Sequence, residues 1–252
     1  MLYDMLKIIS LNITLNKNKQ QDIKPFALLV LFFVLHFFCP MITWGQNNAY
    51  YDSRLLHFGF HVGFNRSSHR ILLKDSFNYQ TNTNLEYISS DFGPGFQLGI
   101  ISDLRLHEYL ALRFTPTLMF SQRNFEYQIR NQDDYSKKSI QMANVDLPLA
   151  LKFRSKRLKN YRIYVVGALK TSIDMASQEK VVDDVEKVKV RRFDFAYETG
   201  LGLDLYLPYF KLSPEIKVAN GMRNVLVPEN HIYSNYMQSL FSRTWIFSLT
   251  FE

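Results

Sequence analysis

The chain of 252 residues is 47% hydrophobic and 21% charged, too apolar for a disordered segment and too charged for a helical multi-span transporter. Many of its 21 Phe, 15 Tyr and 2 Trp fall at alternate positions, the pattern of strands. The formal charge is +7, but residues 1–45 hold four lysines and two aspartates, so the remainder carries 26 basic and 21 acidic residues, or +5. That surplus suits anionic headgroups or acidic proteins. No basic helix, zinc-finger spacing or aromatic-basic RNA-binding signature accompanies it, so nucleic acid is not an expected partner.

The apolar run Phe26–Phe38 follows Lys17, Lys19 and Lys24 and precedes Pro40 and Thr43-Trp44-Gly45-Gln46. It reads as a secretory signal peptide, cleaved after Gly45, with an N-terminal extension before Lys17. The rival reading is a retained membrane helix over Phe26–Trp44. Cys39 follows the bulky Phe38 rather than the small residue that lipid attachment needs. It is the one cysteine, so residues 46–252 contain no disulfide, thiol nucleophile or cysteine metal ligand.

Residues 46–56 form a short lead-in, and the domain is expected over 57–252. Phe58, Phe60, Val62 and Phe64 alternate with His57, Gly59, His61, Gly63 and Asn65, predicting a strand with one aromatic and one polar face. The alternation continues with Phe96, Leu98, Ile100 and Leu104, then Leu110–Phe120, then Val145–Phe153 against Asp146, Lys152 and Arg154. Tyr161–Leu169, Phe193–Leu205, Phe210–Val218 and Trp245–Phe251 complete about eight strands of ~9 to 12 residues, a length that crosses a bilayer at a tilt. Short turns near 106–108, 155–160 and 207–209 alternate with polar stretches near 66–93, 130–138, 174–190 and 221–241. The expected fold is therefore all-β: an antiparallel transmembrane β-barrel with short periplasmic turns and longer outer loops. A soluble sandwich would share the alternation but not the turn asymmetry. Pro116, Pro148 and Pro214 fall inside predicted strands and are expected to mark bulges or strand ends.

Three stretches, His57-Phe-Gly-Phe-His-Val-Gly-Phe-Asn65, Pro94–Leu106 and Asp146-Leu-Pro-Leu-Ala-Leu-Lys-Phe-Arg-Ser155, resemble the PorT family of small outer-membrane proteins. Tyr197–Asp204, Phe210–Ile216 and Phe251-Glu252 are similar too. The resemblance covers nearly all of the chain after the leader. It implies an outer-membrane location in a Gram-negative bacterium and a role in type IX secretion, which exports proteins across the outer membrane and supports gliding motility in some bacteria. The family offers no established catalytic residues to carry over.

The residues themselves suggest no catalytic centre, cofactor or metal site. His57 and His61 share a strand face ~13 Å apart, too far to bind one metal unaided, and read as polar lining near the periplasmic end. There is no Gly-x-Ser-x-Gly elbow and no His-Glu-x-x-His, so no small-molecule substrate is expected. Gly200-Leu-Gly-Leu-Asp204 lacks the third glycine and helix of a nucleotide loop. Arg113, Asp146, Lys152, Glu198, Asp204, Lys211, Glu215 and Lys217 occupy polar strand faces and are expected to point inward as a packed ion-pair plug rather than a conducting pathway. Lys156, Arg157 and Lys159, with Arg154 and Arg162 nearby, form a basic rim that is a candidate contact for a partner at the periplasmic side. The function expected is a non-enzymatic accessory of the type IX translocon, touching outer-membrane lipid and other translocon components. A lipid-modifying enzyme or protease and a passive structural or adhesion barrel are the alternatives.

Overall fold

The computed structural model describes residues 51–74, 85–129, 136–176, 190–227 and 237–252. The expected leader lies outside them. The alternating segments form ten antiparallel strands: β1 (Leu56–Leu73), β2 (Leu85–Asp91), β3 (Gly93–Arg105), β4 (Leu110–Phe114), β5 (Thr117–Ile129), β6 (Ser136–Arg154), β7 (Tyr161–Asp174), β8 (Phe193–Tyr206), β9 (Lys211–Gly221) and β10 (Met237–Phe251). β1 pairs with β10 on one side and with β3 on the other, so the run of pairings returns to its start as a ring.

Ten strands stand where about eight were expected, because the expected Leu110–Phe120 strand is divided into β4 and β5 and because β2 forms within a stretch expected as loop. β2 and β3 follow one another along β5, but Asp91 faces Asn124 whereas Gly95 faces Ser121. Three residues therefore oppose two at Phe92–Pro94, which is a bulge. Gly93 is required there, because a Cβ would run into the Gln122 carbonyl.

The break between β4 and β5 has a different cause. Phe114 faces Leu149 and Thr117 faces Asp146 on β6 in one unbroken register. Thr115 thus lies opposite Pro148, and Pro116 lies opposite Ile100 on β3; each pair loses one of its two ladder bonds to a missing N–H. The surviving bonds are Thr115 N to Pro148 O at 3.2 Å and Ile100 N to Pro116 O at 3.1 Å. The Thr117 hydroxyl donates to the Thr115 carbonyl at 2.8 Å, replacing the amide that Pro148 lacks.

Pro214 acts similarly. The β8–β9 pairing lapses between Gly202↔Glu215 and Leu205↔Leu212 without a change of register. Pro116 marks strand ends, whereas Pro148 and Pro214 lie inside β6 and β9, and none of the three makes a bulge.

Side chains divide as the alternation predicts. Phe58, Phe60, Phe64, Ile100, Leu151, Phe153, Ile163 and Leu201 are exposed on the outer face, while His61, Asn65, Gln97, Arg113, Lys152 and Glu198 are buried on the inner one. Leu205, expected outward, is buried. The short turns fall at 106–109, 155–160 and 207–210, between β3 and β4, β6 and β7, and β8 and β9.

At the opposite end the strands outrun expectation: β1 has 18 residues and β6 has 19. All of β2 and the end of β1 lie within 66–93, and β10 begins within 221–241, both expected as loop. What remains of those loops falls largely outside the described residues.

Candidate functional site: the charged interior

All eight charged residues expected to face inward do so, and the ring brings them together with others. From one end, Lys170 bridges Asp146 and Glu198 at 3.1 Å each. Lys217 joins Glu198 at 3.8 Å to Glu215 at 3.0 Å. Arg113 then contacts Glu215 at 3.3 Å, Asp103 at 2.8 Å and Glu252 at 3.0 Å. Lys211 carries the chain on from Glu252 at 2.8 Å to Asp204 at 4.0 Å, and Asp204 holds Lys152 at 2.8 Å. Five cations and six carboxylates thus form one connected set, and apart from Lys217 each side chain is at most 4% exposed.

Hydroxyl groups take up remaining carboxylate lone pairs. Tyr164 donates to Glu215 at 2.8 Å, Ser213 to Asp204 at 2.7 Å and Ser172 to Asp146 at 2.6 Å. The Tyr164 ring also lies 3.7 Å under the Lys152 ammonium. Its space comes from Gly202, where a Cβ would collide with the ring.

Asp103 falls on the polar side of the Phe96–Leu104 alternation, but the sequence pattern does not single out Lys170, Tyr164 or Glu252. The Tyr161–Leu169 alternation marks only the outward face and ends before Lys170, and Tyr164 is an aromatic residue in a chain whose strand aromatics mostly face out. Nothing in the sequence signals that Glu252 folds inward.

The histidines are held in structural contacts. His57 stacks on Tyr51 at 4.1 Å and contacts its carbonyl through Nε2 at 2.8 Å, and His61 Nε2 meets the Thr117 hydroxyl at 3.0 Å. Among the described residues, no three His, Cys, Asp or Glu side chains are grouped to hold a metal.

Both ends of the charged set are covered. At the short-turn end a 3-10 turn, Tyr51–Ser53, buries the Tyr51 ring, whose hydroxyl donates to Glu252 at 2.9 Å. Burial, followed by the charge of Glu252, pushes that phenol well above its ordinary range, so it remains a donor. The lead-in is therefore a cap rather than a simple linker.

The cap also changes the basic rim. Asp52 pairs with Arg162 at 3.0 Å and Arg157 at 3.5 Å, Arg157 lies 3.6 Å over Tyr206, and Arg154 donates to the His107 carbonyl at 3.3 Å. Three of the five residues expected as a partner surface are thus folded against the ring. Lys156 and Lys159 remain exposed.

At the other end an apolar cluster closes the interior: Ile88, Phe125, Met142, Val190, Val225 and Leu240 with their neighbours. Two connecting segments fold into it, joined by a bridge from Val190 to Leu226 and by Arg191 N to Val225 O at 2.8 Å. Asn224 Oδ1 accepts from the Leu226 and Leu240 amides at 3.0 Å each. Between this lid and the charged set, a cavity beside Arg123, Asn144 and Asp194 measures only ≈ 20 Å³.

An antiparallel ring with an aromatic exterior and an ion-paired interior is the build of a lipid-embedded barrel. The chain belongs to the outer membrane protein beta-barrel domain family. The family model matches residues 44–227. This outer-membrane barrel is located in the outer membrane of a Gram-negative bacterium, with its apolar face against lipid.

Among solved structures it is similar to the outer membrane protein OprG of Pseudomonas aeruginosa, with a TM-score of 0.44 and 10% identity over 82% of this chain and 96% of that one. It is also similar to Ail, the attachment invasion locus protein of Yersinia pestis, in complex with the heparin analogue sucrose octasulfate. There the TM-score is 0.35, with 10% identity over 77% of this chain and 96% of that one. No curated protein matches the chain.

Proposed function

We propose that this outer-membrane barrel is a non-conducting, non-enzymatic scaffold that acts as an accessory of type IX protein secretion. The observation that carries the non-conducting part is the filled interior: a polypeptide has no route past Arg113, Tyr164 and Lys152 or past the apolar lid. A barrel of this kind assists a separate conduit instead of being one. The assignment to type IX secretion is supported by the resemblance of His57–Asn65, Pro94–Leu106, Asp146–Ser155 and Tyr197–Asp204 to PorT proteins. Lys156 and Lys159, exposed at the short-turn end, are the residues of the basic rim best placed to touch a translocon component from the periplasm.

The test is a chromosomal deletion, with surface delivery of type IX clients followed by labelling of intact cells. Clients should accumulate inside the deletion strain, and gliding should fail where the bacterium glides. Complementation with the K156E/K159E protein should restore barrel levels but not delivery. Normal delivery in the deletion strain overturns the secretion role and leaves a structural or adhesion barrel. Turnover of phospholipid or peptide by the purified protein, lost on His57→Ala or His61→Ala, favours the enzyme.

A further inference from the structure

Three arginines stand on the outer face of β1 and β10 and take no part in the interior. In the ladder Arg66 faces Trp245, Ser68 faces Arg243 and Arg70 faces Phe241, so Arg243 is diagonal to both other arginines. Diagonal neighbours on one sheet face lie within reach of long side chains. All three are exposed. Arg66 Nη2 donates to the Phe92 carbonyl at 3.3 Å, and the Arg70 guanidinium sits 5.1 Å from the Phe241 ring centroid. Both side chains are steadied while most of their N–H groups stay open to a ligand. Among the described residues none of the three arginines is ion-paired. The nearby acidic residue on β2, Asp91, accepts the Phe92 amide at 2.8 Å.

Their level in the membrane follows from the neighbouring strands. Outward positions change from apolar to polar between Val218 and Asn220 on β9, Phe120 and Gln122 on β5, and Ala143 and Gln141 on β6. On β1 the change falls between Phe64 and Arg66, and on β10 between Trp245 and Arg243. Arg66 and Arg243 therefore sit at the upper edge of the apolar band, where an arginine is tolerated and headgroups begin, and Arg70 lies further out. Guanidinium forks match the oxygens of phosphate, and a row in which Arg243 is diagonal to both Arg66 and Arg70 matches a headgroup that carries more than one phosphate.

We propose that Arg66, Arg70 and Arg243 bind the phosphate groups of a phosphorylated glycolipid in the outer leaflet, with Trp245 at the boundary of its acyl chains. The proposal rests on the loop end facing the medium and does not depend on a role in secretion.

The experiment uses protein isolated from the outer membrane in mild detergent. It is titrated with lipopolysaccharide, the same glycolipid after phosphate removal, phosphatidylglycerol micelles and inorganic phosphate, with bound lipid read by native mass spectrometry. Intact glycolipid should bind at least tenfold more tightly than the other three. R66Q/R70Q/R243Q should lose that advantage while keeping heat-modifiable migration on a gel. Should the triple variant fail to fold, Arg243→Gln alone should weaken binding severalfold and Arg243→Lys less. Unchanged binding by a folded triple variant overturns the site, as does equal binding of dephosphorylated glycolipid or inorganic phosphate. Equal binding of phosphatidylglycerol points to the inner leaflet and overturns it too. On whole cells, Met222→Cys should react with an impermeant thiol reagent and Lys159→Cys only after the outer membrane is opened; the reverse pattern removes the basis of the proposal.

Discussion

Glu215 accepts from Arg113, Lys217 and Tyr164 at once, so its carboxylate joins three elements that share no ladder contact at that point. Glu215→Gln keeps the shape but removes the charge, leaving a buried guanidinium and ammonium short of a partner. The expected cost is about 3 to 5 kcal/mol, because an uncompensated buried charge loses more than the pair gained by forming. A lowered unfolding temperature on heat-modifiability gels checks this. A change below about 1 kcal/mol would mean that solvent screens the remaining charges. At this scale the sequence was informative about which face carries charge, since a lysine or arginine amid outward leucines has only the interior to occupy. It was silent about pairing, because partners such as Arg113 and Glu252 are 139 positions apart and meet only through ring registration.

The far end of β1 illustrates the limit at the scale of elements. Phe58 to Phe64 place apolar side chains at even positions facing lipid, but beyond the membrane edge the phase inverts: Arg66 and Arg70 face out, while Ile71 and Leu73 pack against the apolar lid. A strand whose two faces exchange character midway looks like loop to any rule that follows one period. The prolines differ, because they delete donors without disturbing register, and at Pro148 a side chain repairs the gap. That repair is testable by a double-mutant cycle. Thr117→Val should cost about 1 to 2 kcal/mol in the native background, since it strands the Thr115 carbonyl and the His61 contact. With Pro148→Ala, the restored amide can reach Thr115, and the same substitution should cost less by about 1 kcal/mol. Equal costs in both backgrounds, measured by urea titration of folded protein in micelles, would show that the hydroxyl does not substitute for the ladder bond.

For the molecule as a whole, the interior has three successive barriers: the Tyr51 cap, the ion-paired set and the apolar lid. They differ in kind, and that determines how each would fail. The lid depends on exclusion of water, so polar substitutions at Val225 and Leu226 should wet it and loosen the segments it holds. The ion-paired set does not depend on the lid for its contacts, since its members bond to one another and to Tyr164, Ser172 and Ser213. A Val225→Ser/Leu226→Ser protein should therefore show greater protease sensitivity near these residues while its conductance in planar bilayers stays near zero, the value expected of the native protein too. A water-filled path through the charged residues predicts the opposite. In that case opening the lid would raise conductance, and Glu215→Gln would shift its cation preference without loss of stability. Silent bilayers for both variants, together with a destabilised Glu215→Gln, leave the barrel as a sealed body in the membrane, whose outward-facing groups are then the ones available to act.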